Sequence, residues 1–127
     1  MKREIKFRGQ PTGKGGIWMV GIGAYKTHTA EYLVLNAKCD CVEVVHLCQF
    51  TGLHDCNEKE IYEGDIVTIG NNLKAVVIWF NGSFRFKDEL SCKATYLNDI
   101  GTIIRDYDVC IIGNIHDNPE LLKQQRQ

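Results

Sequence analysis

No apolar run in the chain reaches the roughly 18 residues that a membrane-spanning helix needs. Charge of one sign is also missing: 15 basic and 16 acidic side chains leave a formal net charge of -1. A protein so balanced has no global field to draw in a polyanion or an anionic membrane, so such binding would need a local patch. The N-terminus starts charged and passes straight into an alternating pattern, without the apolar core of a signal peptide. The expected location is therefore cytoplasmic, with no membrane contact. Internal repeats, low-complexity stretches and linkers are absent, and so is sustained helical periodicity before the last few residues. The glycines at 9, 13, 15 and 16 fit neither a P-loop nor a dinucleotide fingerprint.

Hydrophobic residues make up 44% of the 127 positions and charged residues 24%, which suits a globular protein and argues against disorder. A chain of this length buries a core without metal or disulfide staples. Six cysteines (Cys39, Cys41, Cys48, Cys56, Cys92, Cys110) in a cytoplasmic protein are expected to be free thiols.

The dominant signal is short segments of period two. Glu4 to Arg8 alternates, with Ile5 and Phe7 opposite Lys6 and Arg8. After a glycine-rich loop, Trp18 to Tyr25 forms a second strand, in which Gly21 and Gly23 leave a shallow strip open to close approach. Glu31 to Leu35 and Cys41 to Phe50 follow, the latter with Val42, Val44, His46, Cys48 and Phe50 on one face. A polar connection, Thr51 to Glu63, leads to strands over Asp65 to Ile69 and Lys74 to Phe80. Asn81-Gly82 is a hairpin signal, because both positions tolerate positive φ. Thr102 to Ile104 and Asp108 to Ile112 read as further strands, and Asn118-Pro119-Glu120 as a helix start. The class is all-β to β-rich, with a short C-terminal helix.

Each candidate chemistry has a plainer competitor. Asp55 and Asn57 open like a calcium loop, but Lys59, Glu60 and Ile66 stand where an oxygen ligand, a glycine and a bidentate acid are required. Cys39-x-Cys41, His46-x-Cys48 and His54-x-Cys56 put pairs on one strand face without the second knuckle of a zinc site. No local signature selects a Cys–His nucleophile. No metal or cofactor is expected. Five basic groups in the first fourteen residues face five acids between His54 and Asp65 in the charge pattern, and solvated faces explain both. Nucleic-acid binding rests on Lys2, Arg3, Lys6 and Arg8, with Trp18, Tyr25, Trp79, Phe84 and Phe86 as stacking candidates.

The segment from Gln49 to Val67, reading QFTGLHDCNEKEIYEGDIV, resembles the signature of the YopX family of phage and prophage proteins. Arg3 to Arg8 resembles the family's start, Val76 to Trp79 its following strand, and Ile112 to Leu122 its ending. One departure is visible: the family commonly has Asn-Gly in the central loop, and here Asn57 precedes Glu58. The resemblance implies a phage or prophage origin in a bacterial host cell and a tendency to self-associate. It also implies one YopX-like domain, with an N-terminal β part over roughly 1–60, a small Src-homology-3-like barrel over 61–118 and a helical tail over 119–127. It implies no activity. Thr51, Gly52, Leu53, Asp55, Tyr62, Glu63, Gly64 and Asp65 are the motif residues, read as a structural or binding loop. The favoured function is a non-enzymatic, self-associating binding protein with a host or phage protein as partner. A nucleic-acid-binding module is the alternative, and an enzyme of unknown type the second alternative.

Overall fold

The computed structural model describes residues 4–11, 18–26, 32–36, 38, 40–70, 73–88 and 95–122, with backbone alone at Tyr25 and 95–98. It is strand-rich, built from two antiparallel sheets, and divides into two compact units, Met1–Gly52 and Leu53–Gln127. Among the described residues no helix is long and apolar enough to cross a membrane.

The first unit contains β1 (Phe7–Pro11), β2 (Met19–Gly21), β3 (Gly23–Lys26), β4 (Tyr32–Leu35) and most of β5 (Cys41–His54). Their order in the sheet is β2-β1-β5-β4-β3. The segment expected as one strand over Trp18 to Tyr25 is thus broken at Ile22, whose N–H donates to the Leu35 carbonyl at 2.8 Å. The two ends of the sheet are joined through that single residue. Gly21 makes this approach feasible: a side chain there would collide with the Val34 side chain and the Leu35 carbonyl. Val34, Val44, Cys48 and Phe50 form the buried centre. His46 does not share their face as its alternation suggests. Its φ is 56°, a left-handed bend that turns the side chain out to solvent.

The second unit holds β6 (Glu60–Tyr62), β7 (Asp65–Ile69), β8 (Leu73–Phe80), β9 (Ser83–Asp88), β10 (Thr95–Asp99), α1 (Ile100–Asp106) and β11 (Val109–Asn114). β7 to β11 form an antiparallel sheet of order β10-β9-β8-β7-β11, and β6 pairs with β5. Among the described residues the outer strands β10 and β11 do not pair, so the small barrel expected over 61–118 is an open sheet. Period two explains the packing: Ala75 and Val77 project from β8 into a core with Val67, Phe86, Ile100 and Val109. The β8–β9 hairpin turns at Asn81 and Gly82, with φ of 51° and 81°, as the pair demands.

Thr102 to Ile104, expected as a strand, lies in α1. Asp99 caps this helix by accepting the Thr102 N–H at 3.1 Å. Ile100, Ile103 and Ile104 then fall on one helical face and pack on the core cluster. The tail forms one 3₁₀ turn over Pro119–Leu122. Asn118 precedes it, but its side-chain oxygen accepts the Asn114 N–H at 3.3 Å, so it braces β11 instead of starting a longer helix. Residues 123–127 lie outside the described residues.

Candidate functional site: the signature loop on the edge of β11

β5 ends at His54, and the next residue organises the loop. Asp55 donates its N–H to the Lys59 carbonyl at 2.9 Å, and its own carbonyl accepts the Glu58 N–H at 3.0 Å. Its Oδ1 accepts the N–H groups of Asn57 and Lys59, each at 2.8 Å. A four-residue turn from Asp55 to Glu58 results, and its last residue, Glu58, is left-handed with φ of 64°. It sits where the family's glycine would be unstrained.

The other carboxylate oxygen reaches across the fold. Asp55 Oδ2 accepts the Ile111 N–H at 2.9 Å, while the Cys56 N–H donates to the Val109 carbonyl at 2.8 Å. β11 pairs with β7 on its other side. The loop therefore covers the outer edge of β11 much as a neighbouring strand would, satisfying peptide groups that an edge strand leaves open. Between the two covered residues lies Cys110, joined to Cys56 by a disulfide with a Cα–Cα distance of 5.4 Å. The expectation of free thiols fails for this pair. Their separation of 54 residues carries no local spacing signal, and only the fold brings them together.

Asp55 is only 7% exposed. Burial pushes its carboxyl up, but the N–H groups of Ile111, Lys59 and Asn57 and the charge of Lys59 outweigh it, holding Asp55 below the ordinary aspartate value. The loop tip is different: Cys56, Asn57, Glu58 and Lys59 are all exposed.

The second half of the signature forms another turn. Asp65, 2% exposed, accepts the Tyr62 N–H on Oδ2 at 2.8 Å. The acid ties down the turn. Gly64, with φ of 91°, donates its N–H to the Val77 carbonyl and accepts the Ile115 N–H, both at 2.9 Å. Tyr62 is buried and its hydroxyl donates to Glu60 Oε1 at 3.1 Å, while Glu63 is half-buried in the turn itself. At the end of β11, Asn114 Oδ1 accepts the His116 and Asp117 N–H groups at 3.0 and 2.9 Å. The signature thus holds β11 near both ends. Thr51 and Gly52 are half-buried in β5, the latter with φ of 90°, and Leu53 packs against the core cluster.

Of the nucleic-acid candidates, Lys2 and Arg3 lie outside the described residues. Lys6 pairs with Glu4 at 3.6 Å and sits 5.0 Å from the Phe50 ring centre, and Arg8 sits 4.6 Å over Trp18. Phe86 is fully buried; Trp79 is exposed, with Phe84 edge-on at 4.9 Å. The Tyr25 side chain is outside the described residues. Among the described residues, no three His, Cys, Asp or Glu side chains gather as a metal site.

The YopX protein family matches residues 20–123. The chain belongs to the YopX family. The match takes in the signature, the strand after it and the ending, while the resemblance at Arg3 to Arg8 falls before it. Among solved structures, the crystal structure of protein EF1440 from Enterococcus faecalis is similar, with a TM-score of 0.53 and 23% identity. That likeness covers 96% of this chain and 100% of the other, and it concerns the fold. No curated protein matches the sequence. Within this YopX-family chain, the family's quoted residues meet around β11: Asp55 and Cys56 at Val109 to Ile111, and Gly64 at Ile115.

Proposed function

We propose that this YopX-family protein is a phage- or prophage-encoded accessory protein that acts in the bacterial cytoplasm by binding, not by catalysis, and that it self-associates. The observation that supports this reading is the fate of the signature's two buried acids. Asp55 and Asp65 both direct carboxylate oxygens at backbone N–H groups, in their own turns and, for Asp55, also at Ile111. A carboxylate so engaged, and in Asp55 held ionised, is suited to fixing a loop and poorly suited to exchanging protons with a substrate. The loop it fixes presents Asn57, Glu58 and Lys59 to solvent. A rigid scaffold displaying a short exposed loop is a common arrangement for recognition.

The test is capture from host lysate by the tagged protein, with and without nuclease, beside a variant carrying Asn57→Ala and Lys59→Ala. One host or phage protein retained in both nuclease arms and lost in the variant supports the reading. Capture that vanishes with nuclease replaces it by nucleic-acid binding. Light scattering checks self-association: a mass of 14.4 kDa at every concentration would reject that part.

A further inference from the structure

We infer that the Cys56–Cys110 disulfide is a redox latch that decides whether the signature loop stays fastened to the edge of β11. The disulfide, the Ile111 N–H on Asp55 Oδ2 and the Cys56 N–H on the Val109 carbonyl fasten the loop there. Of these the disulfide is the covalent one, and it lies at the surface, with Cys56 exposed and Cys110 half-buried. A dithiol reductant can reach it there. One thiolate attacks a sulfur of the pair to give a mixed disulfide, and the second thiolate displaces it. The protein gains two electrons and two protons as Cys56 and Cys110 become thiols, and the reductant leaves as its own disulfide.

Reduction releases the loop locally because the rest of the unit does not depend on this bond. The sheet from β10 to β11 keeps its ladders, and the cluster around Val67, Val77 and Phe86 stays closed. Glu58 is held at φ of 64°, a left-handed conformation that a non-glycine residue leaves when it is free to do so. Once the loop lifts, the Val109 carbonyl and the Ile111 N–H are open at the sheet edge. The inference stands apart from the binding reading, since its readout is the loop and not a partner.

The experiment is amide hydrogen exchange by NMR on the full chain, oxidised and then reduced with dithiothreitol, beside Cys110→Ser. On reduction the Ile111 amide should exchange about tenfold faster or more, while those of Val67 and Val77 keep their rates. Cys110→Ser should show the fast loop without reductant, and reoxidation of the wild type should restore protection. Unchanged Ile111 exchange would overturn the inference. So would a parallel loss of protection at Val67 and Val77, which would make the bond a staple of the whole unit. Alkylation of Cys56 or Cys110 in the oxidised protein would also overturn it.

Discussion

The Ile111 amide and the Asp55 carboxylate, 56 residues apart in sequence, meet at 2.9 Å and tie the signature loop to the last strand of the sheet. Two more amides converge on the same carboxylate. Asp55→Ala leaves all three without their acceptor. Charge-assisted bonds of this kind contribute about 1.5–3 kcal/mol each, and they are not additive within one site. The expected loss is about 2–4 kcal/mol in urea unfolding, with the m-value unchanged. Asp55→Asn, which keeps one acceptor oxygen, should lose less.

The same group gives a pH dependence of known sign. Its folded-state pKa lies below the ordinary aspartate value of 3.8. As pH falls past that value, the unfolded chain takes up the proton first. The stabilisation from ionised Asp55 is therefore present above about 3.8 and is lost as pH falls through the folded value. Unfolding free energies of wild type and Asp55→Asn, measured between neutral and acid pH, should converge only on the acid side. Parallel curves would show that Asp55 does not titrate this way.

Glu58 offers a gain. A left-handed L-residue costs roughly 1–2 kcal/mol, while glycine loses roughly 0.5–1 kcal/mol through its freer unfolded chain. The first effect is larger, so Glu58→Gly should stabilise by about 0.5–1 kcal/mol. Glu58→Ala, still left-handed and still exposed, should be nearly neutral. Thermal melts of the three proteins distinguish backbone relief from loss of a surface charge.

Gly21→Ala should destabilise the first unit. The added methyl meets both a buried side chain and a backbone carbonyl, and the carbonyl already accepts the Ile22 N–H. Overpacking of this kind costs about 1–3 kcal/mol. Gly23→Ala is the control, because its nearest neighbour, Leu35 Cβ, lies at an ordinary 3.8 Å.

What the sequence made legible was local. Alternation along Lys74 to Phe80, the Asn81-Gly82 turn and the acid of Glu63-Gly64-Asp65 each encode their structure within a few residues, and each is found. The YopX-like signature was visible because it is a long contiguous string. Three features were not legible. Ile103 and Ile104 are β-branched and read as strand, yet the Asp99 cap and a core on one side turn them into a helix. The bend at His46 overrides a clean alternation. Asp55 read as a loop residue and Cys56 as a free thiol, and their work on β11 depends on partners more than 50 positions away. Side-chain type advertises turns well, but long-range pairing is decided by strand order, which no single segment contains.

The bend at Ile22 limits how the chain can change length. β2 and β3 lie at opposite ends of one sheet, and a single residue separates them. An insertion or deletion in an ordinary surface loop is absorbed by slack. Here one residue more or less would shift the pairing of β3 with β4 relative to that of β2 with β1, turning side chains onto the wrong face. Natural variation in the length of this protein is therefore expected in its loops and not between Met19 and Lys26.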